Sequence, residues 1–532
     1  MVERSTTVRF CRWLFSWRGL RRLLILLAWF VTLVALFHGE ENWRGRRAWN
    51  KYRHALEAKG EQLDYAALVP KPVPDEQNFA ATPVIKSWFE KKPSYDLEHP
   101  WNDPYSRVAD NVQFPSRPKD ARAERRFDDL VAWEIAFAAL RSGELAGPRR
   151  YYSGKLDAAS RAQAAPAVLE GLKTNEALFA ELRVASQRPY SRYPVIYDVE
   201  MPYAILLPHL RMVKGVCQRL GLKPCAELAI GQCDQALEDL QLMFRLMDSV
   251  KEEPCLISHL VRVACAQTAV QPIWEGLAEH RWSDAQLQEL ETRLQQDNFI
   301  ADMKTPLAAE QAAGIATIEL VRKKGPWYVD YLGSQGNAPT ARDSMLAKCL
   351  WFVVVPQGWY DQEELNFCRA FHVELATSLD TTKKRVSPAR VKADAQAFEQ
   401  LMTASGFAGT GLGIILRHRL MATRLLPALS RVILRSAAAQ TAFNQAAIAC
   451  ALQRYRLANG HFPEALEALA PKFVSRLPND VLTGEPYKYR LTADGRFVLY
   501  SIGWDEKDDG GVPGKILFDE QQGDWVWEYP AK

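Results

Sequence analysis

Few residue groupings in this chain have the types and spacing that chemistry needs. His372-Val-Glu374 is an HxE, the pair with which zinc deaminases hold the metal and move a proton, but the Pro-Cys-x-x-Cys partner is missing. It reads as two residues on a helix surface. Gly409, Gly411 and Gly413 lie in GTGLG, which could cradle a phosphate. No Lys-Ser/Thr follows and no strand precedes, so a helix–helix turn explains it better. GxSxG, HExxH and SxxK do not occur. The histidines are scattered, and His259 falls in an apolar helical stretch where a satisfied core residue is expected. Glu252/Glu253 and Glu363/Glu364 are pairs of the kind found on solvated helices, so no acid–base couple stands out.

Cysteine adds no metal signal. Cys217, Cys225, Cys233, Cys255, Cys265, Cys349, Cys368 and Cys450 form no CxxC pair. Most sit in helical contexts such as VACAQ and AIACAL, where a thiol acts as a small apolar residue. If the body is extracytoplasmic, Cys217 could pair with Cys225 or Cys233. With 48 % hydrophobic and 24 % charged residues and a net charge of +4, the chain is globular and has no basic stripe for nucleic acid.

The elements that would position any site are mainly helical. Leu237, Leu240, Phe244 and Met247 form one stripe at helical spacing, and Leu256, Leu260, Val263 and Val270 another. Ser283 with Gln286 reads as a capping box. Lys223-Pro224 and Glu253-Pro254 punctuate the series, giving helical hairpins in a bundle or array over residues 122–436. Ahead of it, residues 39–121 combine a charged juxtamembrane helix with a proline-rich segment read as an extended wrapper. Its aromatics Trp88, Phe89, Tyr95, Trp101 and Tyr105 serve either wrapper packing or contact with a partner. Residues 350–356 (LWFVVVP) read as core.

Leu23–Phe37 is an uncharged apolar run that spans about 22 Å as a helix. With Leu20 and snorkelling Arg21 and Arg22 it suits a transmembrane anchor over residues 20–38. Arg4, Arg9, Arg12, Arg18, Arg21 and Arg22 precede it and favour a cytoplasmic basic tail over 1–19. A cleavable signal peptide is the rival, but Ala35/Phe37 and Phe37/Gly39 are poor cleavage pairs. The layout therefore implies a single-pass protein of the cytoplasmic membrane with its bulk in the periplasm.

Beyond Asn459-Gly460, a helix stop, HFPEALEALAP reads as a short helix opened by Pro463. YKYRL and RFVLYSI read as strands joined through Asp494-Gly495, and DWVWEY as a third, with Trp525 and Trp527 either packed or offered to a partner. The pieces ALQRYRLANGHFP, LPNDVLTGEPYKYR and GRFVLYSIGWDEKDDGG, in that order, resemble the globular part of type II secretion pseudopilins. The resemblance covers 437–532 and implies a small α+β domain with a short antiparallel sheet. It also implies a Ca²⁺ loop in which Asp505, Asp508 and Asp509 supply hard oxygen ligands. The processing site of that family is absent, and the apolar helix lies far upstream. The pieces QNFAATP, EEPCLISHLVRVACA and PQGWYDQEELN resemble large envelope proteins of Verrucomicrobia and Planctomycetes, which implies localisation and architecture but no activity. The expectation is a membrane-anchored scaffold that binds envelope proteins. The alternative is an envelope hydrolase whose site is assembled only by the fold.

Overall fold

The computed structural model describes residues 17–90, 125–142, 158–325, 355–375, 378–403, 418–426 and 429–527. Tyr95, Trp101, Tyr105, Cys349, the GTGLG stretch and most of LWFVVVP lie outside them. The fold is mainly α. In chain order the helices are α1 (Trp17–Glu57), α2 (Pro83–Ser87), α3 (Leu130–Arg141), α4 (Ala158–Leu172) and α5 (Glu176–Ser186). Next come α6 (Pro208–Ala229), α7 (Cys233–Ser249), α8 (Leu256–Ala278), α9 (Asp284–Gln295) and α10 (Lys304–Lys324). The last are α11 (Gln357–Leu375), α12 (Pro388–Thr403), α13 (Leu420–Leu425) and α14 (Leu429–Asn459). The strands are β1 (Leu379–Asp380), β2 (Arg385–Val386), β3 (Lys488–Leu491), β4 (Phe497–Ser501) and β5 (Trp525–Trp527).

Two compact units emerge. The first comprises residues 1–61, 314–370 and 403–425. Its α1 is one unbroken helix, so the apolar run and the charged stretch after it are one element rather than two. The Leu23–Phe37 side chains face outward, with Leu26 68 % and Leu36 65 % exposed, and α1 is long and apolar enough to cross a membrane. Farther along, a Cβ on Gly45 would collide with the Gly358 carbonyl, and one on Gly358 with the Glu41 carbonyl. Two glycines are therefore what lets α1 and α11 touch backbone to backbone. The Gly358 amide donates to Asn42 Oδ1 at 2.7 Å, and Trp359 Nε1 and Gln362 Nε2 each donate to Glu41 Oε2 at 3.1 Å. Glu363 and Glu364 are buried here rather than solvated. The Met421 amide donates to Glu363 at 3.0 Å, and burial pushes the Glu364 carboxyl up to about 9.

The second unit comprises residues 62–313, 371–402 and 426–532. Its core joins α6, α7, α8, α9 and α14. The α7 stripe Leu237, Leu240, Phe244 and Met247 is wholly buried, each large side chain contributing about 1.5–3 kcal/mol over exposure. On α14 the run of buried alanines from Ala437 to Ala451 keeps the helix slim, so α8 and α9 pack close. Ser283 and Gln286 close the expected capping box at the start of α9. Pro224 does not interrupt the chain as its sequence position suggests; α6 continues through it, its neighbours Leu222, Cys225 and Ala226 all buried. Such packing outweighs the roughly 3 kcal/mol helix penalty of proline. The wrapper seats Phe79, Ala80, Ile85 and Trp88 in the core through 3₁₀ turns and α2 rather than as extended chain.

Near the C-terminus β3, β4 and β5 form an antiparallel sheet in that order, with Lys488 opposite Tyr500 and Leu499 opposite Trp527. Gly495 takes the left-handed conformation that the Asp494-Gly495 turn requires. Gln445 Nε2 on α14 donates to the Trp525 carbonyl at 2.6 Å and ties helix to sheet. Trp525 and Trp527 are 1 % and 0 % exposed, so they are core and not contact residues. Pro463 opens no helix; the helical turn there is a 3₁₀ turn over Leu466–Leu469. A small hairpin, β1–β2, pairs Leu379 with Val386.

Candidate functional site

A catalytic triad needs a nucleophile, base and orienter in that order, and the buried histidines of the second unit, His209 and His259, do not supply it. His209 Nε2 donates to Glu253 Oε1 at 2.7 Å while Ser258 Oγ donates to Glu253 Oε2 at 2.5 Å. The carboxylate thus sits between hydroxyl and imidazole, the wrong order for activating a serine. His259 Nε2 lies 2.9 Å from Ser436 Oγ, but that hydroxyl donates back to the Val432 carbonyl at 2.9 Å. Burial, with Arg262 adding to it, pushes the imidazole down to about 4, so it is neutral, and both groups are buried. As expected, His259 is a satisfied core residue. Cys217 and Cys225 share α6, and both are in the thiol form, as is Cys233.

Of the candidate calcium ligands, Asp505 Oδ1 accepts from the Lys507 amide at 3.3 Å. Asp508 Oδ1 accepts from Tyr500 Oη at 3.1 Å and from the Gly510 amide at 3.0 Å. The amides of Asp509 and Gly511 donate to Asp524 at 3.3 and 2.6 Å. The loop is therefore organised around Asp524, which sequence reading did not mark. Burial raises the Asp524 carboxyl above the usual range, and Asp508 and Asp509 add to this. Among the described residues, one group offers three possible metal-ligating atoms within 4.8 Å of one another: Asp128, Cys225 and Glu275. There the Arg161 guanidinium already pairs with Glu275, which also accepts from the Asp128 amide at 2.7 Å and Gln271 at 2.8 Å. Glu275 is thus held by protein cations and donors, and His372 and Glu374 do not enter this group; the Glu374 side chain lies outside the described residues.

Besides a depression of about 470 Å³ lined by Val391, Leu434, Trp504 and Arg431, two others lie in the second unit. The larger, about 850 Å³, lies between α5, α7 and α9. Its arginines are committed: Arg183 to Glu176 and Asp239, Arg245 to the carbonyls of Arg188 and Tyr190, and Arg293 to Asp248 and Asp297. Each arginine of the groove is thus held by the protein itself.

The smaller, about 450 Å³, is the better candidate. The segment before α6 contributes Pro202, Tyr203, Ile205 and Leu207, the start of α8 contributes Pro254–Ile257 and Leu260, and α10 contributes Ala309, Glu310 and Ala313. Tyr65 and the α14 residues Arg431, Val432 and Arg435 complete it. Tyr65, Pro202, Pro254, Leu256, Ala309, Ala313 and Val432 are buried, so the inner wall is apolar. Arg431 and Arg435 are exposed, one helical turn apart, and neither has a partner among the described residues. Four titratable groups in this wall are perturbed, in each case chiefly by burial. The Glu310 carboxyl is pushed up to about 7 against the pull of Tyr203, the Cys255 thiol is pushed up to about 12, and both tyrosine hydroxyls are held protonated. Tyr65 Oη and Cys255 Sγ meet at 3.9 Å. An apolar cavity with a few convergent polar groups and shifted acids is the usual form of a ligand site.

The sequence does not mark this cavity, because its residues come from five separated segments. The sole local signal is Arg431 and Arg435 flanking Val432 at helical spacing. Compared with known protein families, with curated proteins and with solved structures, the chain matches none.

Proposed function

We propose that the protein is held in the cytoplasmic membrane by α1, with its N-terminus inside and its bulk in the periplasm, and that its body serves as a scaffold for other envelope proteins. The observation that carries this reading is the outward-facing Leu23–Phe37 surface bordered by Arg18, Arg21 and Arg22. Such a surface is stable against acyl chains and costly in water. The test is an alkaline wash of membranes followed by N-terminal sequencing. The intact chain should stay in the pellet, and a chain lacking residues 1–38 should be released. Release of the intact chain, or a mature N-terminus beyond Gly39, would overturn the anchor.

Within the same reading, Ca²⁺ stiffens the loop over residues 505–511 through Asp505, Asp508 and Asp509. Melting the full chain with Ca²⁺ and with chelator tests this. A shift that Asp508→Asn plus Asp509→Asn abolishes supports the site, and no shift sinks it. The hydrolase alternative has one observation on its side, the raised Glu310 carboxyl in an apolar cavity. No histidine lines this cavity among the described residues, and burial keeps the Cys255 thiol and the Tyr65 and Tyr203 hydroxyls protonated, so the scaffold reading is preferred.

A further inference from the structure

The smaller cavity of the second unit combines two demands that few ligands meet together. Its inner wall is apolar, built from Tyr65, Pro254, Leu256, Ala309, Ala313 and Val432. Its mouth carries the guanidiniums of Arg431 and Arg435, which share one face of α14 and lack partners among the described residues. Apolar side chains continue around that mouth: Ile257 is 52 % exposed, and Leu206, between the lining residues Ile205 and Leu207, is 49 % exposed. An uncharged oil would leave two cations unused. A small hydrophilic anion would leave the wall unused. A ligand with an apolar body and an anionic end satisfies both.

We propose that this cavity binds a single-chain amphiphile with an anionic head, the chain lying along the Pro202–Leu207 and Leu256–Leu260 walls and the head resting on Arg431 and Arg435. Arginine forks suit carboxylate and phosphate alike, because each presents paired N–H donors to paired oxygens. The volume, about 450 Å³, falls in the range of pockets that enclose one small ligand. Glu310, the one acid in the lining, does not oppose the head below neutral pH, since burial keeps its carboxyl largely protonated there. The assignment stands apart from the membrane anchoring by α1, because none of its residues belongs to the first unit.

The test is photolabelling of the full-length protein, held in amphipol, with a diazirine-bearing palmitate analogue, followed by peptide mapping. Adducts are expected within residues 202–207, 254–260, 309–313 or 431–435. Palmitate and hexadecyl phosphate should compete, the better competitor identifying a free fatty acid or a phosphate-headed lipid as the source, and hexadecanol should compete poorly. Arg431→Gln plus Arg435→Gln should lower cavity labelling about tenfold or more. The same pair changed to Lys should retain most of it. Both side chains are exposed, so these variants keep the fold, and labelling of residues 23–37 provides an internal reference in every sample. Labelling confined to residues 23–37 overturns the proposal. So does cavity labelling that hexadecanol competes equally and the Gln pair leaves unchanged.

Discussion

Glu310→Gln should leave stability unchanged near pH 4 and raise it above pH 8. The Glu310 carboxyl sits in a cavity wall among Tyr203, Leu256, Ala309 and Ala313, and burial lifts it from an ordinary 4.5 to about 7. In the unfolded chain it titrates near ~4.3. The folded state therefore binds the extra proton between these values. Its stability contribution is fully present below the unfolded value and is lost as pH rises through about 7. A tenfold change in proton affinity is worth ~1.4 kcal/mol, so the ceiling on the loss is ~4 kcal/mol. Solvent reaching the carboxyl through the cavity mouth reduces this to roughly 1–2 kcal/mol. Glutamine keeps the size and hydrogen bonding but cannot ionise. The assay is denaturant unfolding of the amphipol-held protein at both pH values, with the exposed Glu238→Gln as control. Equal destabilisation by Glu310→Gln at both pH values would refute the reasoning, since it would mean that the side chain acts through packing alone.

Gly358→Ala should destabilise the first unit by about 1–3 kcal/mol, because its methyl group meets the Glu41 backbone. Gly215→Ala on α6, with open space around the new Cβ, should instead stabilise by about 0.5–1 kcal/mol, and thermal melts of the two variants separate these outcomes. Arg262 is fully buried and pairs with Asp297 at 2.6 Å and Asp302 at 2.8 Å. Arg262→Met should cost about 1–3 kcal/mol in denaturant melts, because Asp297 keeps Arg293 and Asp302 keeps Lys251 while each loses one cation. His259 is held neutral with its imidazole pushed down to about 4, so the unfolded chain takes up its proton first. Stability should therefore fall as pH drops from ~6.5 to about 4, and His259→Gln should flatten that part of the profile in melts at pH 4 and 7.

What sequence reading recovers and what it misses divide along a physical line. Local signals hold: the uncharged run in α1, the Ser283–Gln286 capping box, the turn at Asp494-Gly495 and the α7 stripe each depend on residues within a few positions. Signals that compete with tertiary packing fail. Pro224 sits inside α6 because close packing around it outweighs its helix penalty, and Glu363 and Glu364 are buried although adjacent acids suggest a wet surface. The cavity is illegible for another reason. Tyr65, Tyr203, Cys255, Glu310 and Arg435 have no common spacing, and only the meeting of α8, α10 and α14 brings them to one wall. Asp524 was missed because it follows the acidic loop by more than a turn, yet its two oxygens receive the loop amides.

The continuity of α1 has a mechanical consequence. Its 41 residues make a rod of ~60 Å, about twice the ~30 Å thickness of a hydrocarbon slab. No proline or helix break interrupts it, and the part past Gly39 is gripped by α11 through the Gly45–Gly358 contact and the Glu41 hydrogen bonds. With its apolar half in a bilayer, as we propose, a rod clamped at the other end has no swivel. On that proposal, any lean or axial turn imposed by a thinner bilayer would act as torque on the α11 grip, and the first unit would register membrane strain.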